Sequence, residues 1–130
     1  MNSRDSTGSE SPFKGRTGLP RILNALRYSI AGLRAAYRHE DAFRQECLLA
    51  ALLIPAALFV PVAGIAKAMM IASVLLVLIV ELLNSAVEAA VDRISLENHR
   101  LAKRAKDIGS AAVLIALFNV LVIWGFALAG

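Results

Sequence analysis

Five polar side chains recur inside an otherwise apolar stretch, residues 69–93, MMIASVLLVLIVELLNSAVEAAVDR: Glu81, Asn84, Ser85, Glu88 and Asp92. Counted at about 100° per helical residue, they gather into one narrow stripe. The other faces keep Leu82, Leu83, Val87 and Val91 for lipid or neighbouring helices, and Ala86, Ala89 and Ala90 for close packing. An ionisable group at membrane depth costs about 2.5–3.5 kcal/mol on insertion scales, so two glutamates and an asparagine on one face imply a compensating use. Carboxylates suit a hard cation such as Mg²⁺, which takes one or two protein oxygens and completes its octahedron with phosphate and water. A lysine beside them suits phosphate. Glu81 lies seven residues deeper than Glu88, about 10 Å of helix, where it can meet a hydroxyl presented from within the lipid layer. The pattern therefore suits phosphoryl transfer to a lipid-side acceptor. A proton or cation relay in a small transporter would use the same carboxylates. Neither a Walker loop GxxxxGK[ST] nor a kinase Gly-rich loop is present, and the stripe alone leaves the two readings nearly level.

The elements that must position this stripe follow from composition. Hydrophobic residues make up 58% of 130 and mean hydropathy is +0.63, which is an integral membrane protein rather than a soluble domain. The net charge of +4 sits in residues flanking apolar runs. With one Trp, two Tyr and five Phe there is no stacking platform for bases, so nucleic acid is not an expected partner. Cys47 is the only cysteine; it excludes an intrachain disulfide and a Cys/His zinc site and is expected to be buried and inert.

The fold class expected is all-α: three transmembrane helices preceded by an N-terminal amphipathic surface helix. Residues 1–18 are polar and lack the apolar core of a signal peptide, reading as a disordered tail ahead of one membrane domain, 19–130. Leu19, Ile22, Leu23, Leu26, Ile30, Leu33 and Tyr37 keep a helical arc with Arg27, Arg34 and Arg38 beside it. This predicts a surface helix over about 19–44, apolar side in the acyl boundary. The charged run RHEDAFRQE ends it and leads into spans at about 47–66, 68–91 and 108–130. Pro55 and Pro61 should kink the first span or break it near its far end. Three spans are too few to enclose a polar stripe on all sides, so neighbouring protomers are expected to cover it. Eight basic residues precede span one and five lie between spans two and three, against Lys67 alone on the other side. The N-terminus is accordingly expected in the cytoplasm and the C-terminus outside. Asn119 is expected to act as interhelical glue and Trp124 as an anchor near the outer interface. His99 reads as a solvated loop histidine.

Three segments, RILNALRYSIAGLRAAYRHEDAFRQE, ELLNSAVEAAVDR and ENHRLAKRAKDIGSAAVLIA, resemble the small prokaryotic diacylglycerol kinases over nearly the whole chain from Arg21. The core E-[IL]-[LI]-N-[ST]-A-[IV]-E followed by A-K-D is highly specific to that family. The resemblance implies a homotrimer in the bacterial cytoplasmic membrane, with a periplasmic C-terminus, that uses MgATP to phosphorylate a lipid alcohol. By the same resemblance Glu81 is the general base, Glu40 and Glu88 hold Mg²⁺, and Asn84 supports them. Arg21, Tyr28, Glu97, His99, Lys106 and Asp107 then line the nucleotide. Lipid contacts fall to Arg21, Arg34, Tyr37, Glu46, Ser110 and Trp124 together with Glu81 and Asn84. Tyr37 and Phe59 stand where a well-known member carries tryptophan, and Asn98 replaces an aromatic in the E-x-H stretch. These departures touch lipid fit and adenine packing. A sister group phosphorylates undecaprenol, but D-R-I-S-x-E-N-H and K-D-I-G-S look closer to the diacylglycerol branch.

Overall fold

A computed structural model describes residues 17–94 and 99–130, and every regular element among them is an α-helix. The expected tail falls almost wholly on residues 1–16, and Glu97 and Asn98 on 95–98; all of these lie outside the described residues. The described chain divides after Ala35 into two units.

The first unit is most of α1, Leu19–His39. Gly18, at φ 69°, turns the chain into it, and the Gly18 carbonyl accepts from the Ile22 N–H at 3.2 Å. Pro20 is harmless in a first turn, where its missing N–H would have no partner anyway. None of its residues is buried: the apolar arc from Leu19 to Tyr37 is exposed along its length. That is the expected condition of a helix whose apolar face is meant for lipid.

The second unit begins with the last turn of α1. This helix stops at His39, short of the expected 44, because Glu40 takes an extended conformation, φ −116° and ψ 109°. The arginine of RHEDAFRQE explains the stop. Arg44 Nη1 donates to the carbonyls of Tyr37 at 2.8 Å and Arg38 at 3.0 Å, which the ending helix leaves without partners, and its guanidinium pairs with Asp41. The charged run is thus the first turn of α2, Asp41–Phe59, rather than the end of the surface helix.

Pro55 is accommodated inside α2, whereas Pro61 ends it. A proline disfavours helical geometry in the residue before it, and Val60 sits at φ −69°, ψ 137°. Lys67 Nζ then reaches back to the Leu58 carbonyl at 2.6 Å, covering an orphan acceptor of the final turn. The connection, residues 60–63, is short but lies before Lys67 instead of at it, and α3, Gly64–Ile94, starts earlier and ends later than the apolar run alone indicates. The last helix, α4, is Arg100–Ala129, its start lying within the basic segment.

All three of α2, α3 and α4 are long and apolar enough to cross a membrane. The middle one, α3, packs against both others. Its inward face is Met70, Ser73, Val74, Val77, Glu81 and Asn84, at spacings of three and four. Facing it are Phe43, Ala50 and Ala57 of α2, and Ala116 and Val120 of α4, where alanines permit close approach. Val77, Ala116 and Val120 form one buried cluster, with Leu53, Val80, Leu117 and Trp124 packed against it. Large residues such as Phe59, Ile79, Leu114, Phe118, Leu121 and Phe126 point outward, as lipid or a neighbouring chain requires. Cys47, expected to be buried, is half-buried on α2.

Candidate active site

The polar stripe continues the buried face of α3 and climbs out of it. Glu81 is 5% exposed and Asn84 9%; Ser85 and Glu88 are half-buried and Asp92 is exposed. One chain therefore encloses Glu81 and Asn84 by itself, more than three spans were expected to achieve. From the second turn of α2, Glu46 lies within electrostatic range of Glu81. Its Oε2, the Asn84 Oδ1 and the Ser85 Oγ are buried and have no hydrogen-bond partner among the described residues. Such atoms cost free energy unless something accepts or donates to them. A ligand, water or a neighbouring chain can supply the missing partners.

Charge converges at the same place. Glu46, Glu88 and Glu40 each lie close enough to Glu81 to act on it electrostatically. Lys106 of α4 reaches Asp92 at 2.5 Å and also feels Glu88. Four carboxylates with a lysine at their rim favour a bound cation carrying an anion. Among the described residues no three His, Cys, Asp or Glu side chains close into a metal cage. The donor set nevertheless fits Mg²⁺, which needs only one or two protein carboxylates when phosphate oxygens and water fill the remaining positions.

Within the second unit, Glu40, Glu46, Glu81, Asn84, Glu88 and Lys106 gather around the stripe, and the other expected residues have these places. Asp107 pairs with Lys103 at 2.7 Å, one turn away on α4. His99 acts locally, since its Nδ1 accepts from the Leu101 N–H at 3.1 Å and caps α4. Ser110 is exposed on α4 and Tyr37 on the last turn of α1. Trp124 sits at the far end of the bundle, where its Nε1 donates to the Met70 carbonyl at 3.2 Å; that carbonyl also accepts from Ser73 Oγ at 2.7 Å. Eleven residues separate Met70 from Glu81, about 16 Å of helix, so Trp124 joins α3 to α4 rather than reaching the carboxylates. Arg21, Tyr28 and Arg34 belong to the first unit and are exposed on α1. Beyond Lys106, the cations Arg100, Lys103 and Arg104 line an open hollow on α4 with Asp107, Ile108 and Ala111.

Sequence reasoning missed Gly109. A Cβ placed there would collide with the Asn84 Oδ1 and lie 3.2 Å from its Cγ. The available signal was a glycine in a helix interior, which costs about 0.5–1 kcal/mol relative to alanine and so needs a reason.

Residues 27–128 match the family model described as prokaryotic diacylglycerol kinase. The chain is 59% identical over 122 residues to the diacylglycerol kinase of Pseudomonas aeruginosa, covering 94% of this chain and 99% of that protein. The diacylglycerol kinase of Haemophilus influenzae is 53% identical, over 84% of this chain and 92% of its own. That of Escherichia coli is 52% identical, over 83% and 88%. With a family match across most of its length and relatives this similar, the chain belongs to the prokaryotic diacylglycerol kinase family.

Proposed function

We propose that this membrane protein is a diacylglycerol kinase, transferring the γ-phosphate of MgATP to the free hydroxyl of diacylglycerol to give phosphatidic acid and ADP. The observation that carries the reading is Glu81: a carboxylate 5% exposed, beside Asn84, under the influence of three other carboxylates, within an apolar bundle. At that depth Glu81 accepts the hydroxyl proton as oxygen bonds to phosphorus and the bond from the γ-phosphorus to the β,γ-bridging oxygen breaks. A bound Mg²⁺ would supply charge neutralisation to the donor's phosphates. Glu88 and Glu40 are the carboxylates to hold it, and Lys106 lies at the rim to meet a phosphate oxygen. Phosphoryl transfer of this kind needs positioning and electrostatics more than covalent chemistry, which suits a site made of charged and amide groups.

Family resemblance supports the remaining assignments: Arg21, Tyr28, Glu97, His99 and Asp107 to the nucleotide, and Arg21, Arg34, Tyr37, Glu46, Ser110 and Trp124 to the lipid. His99 serves α4 as a cap through Nδ1, leaving Nε2 for a ligand.

Purified protein in mixed micelles with labelled ATP and Mg²⁺ should label diacylglycerol, and undecaprenol far less. Preferential labelling of undecaprenol would move the protein to the sister activity. Ion flux in liposomes without transfer to any lipid alcohol would replace the kinase by a transporter.

A further inference from the structure

We infer that Gly109 is a positioning residue for the transfer step: its bare Cα is the seat that fixes the Asn84 carboxamide between α3 and α4. The inference rests on the kinase reading of the stripe. Backbone freedom does not explain this glycine, since positive φ is confined to Gly18 and Gly130 among the described glycines. Space does explain it. The three heavy atoms nearest a Cβ at 109 all belong to Asn84, whereas a Cβ at Gly32, Gly64 or Gly125 would meet nothing within 4 Å. The Hα standing in that Cβ direction is aimed at Oδ1, the buried acceptor that no hydrogen bond satisfies among the described residues. A Cα–H···O contact of this kind is weak, but it orients the amide. With Oδ1 turned to α4, the carboxamide N–H groups are the end that meets a ligand oxygen.

Register extends the argument. Lys106, Gly109, Ala116 and Val120 lie on the face of α4 that meets α3, at helical spacing. The approach permitted by Gly109 also brings Lys106, one turn earlier, to Asp92 and towards Glu88. A methyl at 109 must either swing Asn84 away or part the two helices. The first effect passes through Asn84 and disappears once residue 84 is short.

The experiment is a double-mutant cycle on the full chain in mixed micelles, with Gly109→Ala, Asn84→Ala and the double variant. Turnover and unfolding by denaturing detergent are both recorded. Gly109→Ala should lower kcat by about tenfold or more in the native background and by less than about twofold once Asn84→Ala is present. Equal losses in both backgrounds, or full turnover in Gly109→Ala, would overturn the proposal. Should Gly109→Ala not assemble, recovery of assembly in the double variant supports it, and failure of both overturns it. A readout independent of activity keeps this separate from the kinase reading. In protein labelled with ¹⁵N-asparagine, the carboxamide signal missing from Asn84→Ala identifies residue 84. Gly109→Ala should move that signal, and an unmoved one overturns the proposal whether or not the protein phosphorylates lipid.

Discussion

An alcohol gives up its proton only as it attacks phosphorus, and a carboxylate in reach at that moment contributes about 10²–10⁴-fold. The difference in burial between Glu81 and Glu88 separates that role from ion binding. Glu81→Gln should cut kcat by about that factor and leave MgATP binding nearly intact, as measured by nucleotide titration beside steady-state kinetics. Glu88→Gln should instead weaken the apparent Mg²⁺ and ATP affinities, with partial recovery as the metal concentration is raised. A fully active Glu81→Gln protein would remove the base assignment even if Glu88→Gln behaved as expected. The stripe that holds these residues was legible because a helical period in charged residues stands out against an apolar background. Gly109 was not legible in the same way. Glycine is common in membrane helices, and only the position of Asn84 opposite it shows what it accommodates.

Among the helices, packing has to supply cohesion that water supplies elsewhere, because lipid tails are as apolar as leucine. The contact between α3 and α4 is therefore sensitive to volume at Val77, Ala116 and Val120. Ala116→Leu should destabilise the bundle by about 1–3 kcal/mol, read from unfolding in denaturing detergent, since a residue 4% exposed has no room for three more carbons. The existence and order of the helices followed from hydropathy and length. Their ends did not, for two specific reasons. Arg44 turns back onto the carbonyls of Tyr37 and Arg38 and ends α1 inside a charged run that reads equally well as one continuous helix. Pro61 acts on Val60, so α2 finishes before the apolar run does, while Pro55 in the same run is absorbed. The apolar part of α3's inward face, Met70, Val74 and Val77, was equally hidden, because a membrane helix is apolar towards its partners and towards lipid alike.

For the molecule as a whole, the half-open end of the stripe favours assembly. One chain covers Glu81 and Asn84 but leaves Glu88 half-buried and Asp92 exposed. The expected state is a homotrimer, and native mass spectrometry of an active preparation that gave monomers alone would refute it. Orientation is testable separately. In a Cys47→Ala background, Lys67→Cys should react with a membrane-impermeant maleimide on intact spheroplasts, and Arg104→Cys only after permeabilisation. The opposite labelling would invert the positive-inside assignment.

The length of α3 has a consequence for how the reaction is to be measured. Its 31 residues extend for about 46 Å, well beyond a hydrocarbon core of about 30 Å. A single rigid rod thus carries Glu81 and Glu88 at two fixed heights, about 10 Å apart along its axis. An acceptor lipid that arrives at the lower height approaches in the plane of its own leaflet and never passes through water, while the phosphate donor descends from solution. The two substrates then obey different concentration scales: for the donor, molecules per volume; for the acceptor, its share of the surrounding amphiphile. Adding detergent at constant total diacylglycerol should slow the reaction, whereas diluting the micelles with buffer at constant MgATP should leave turnover per protein unchanged.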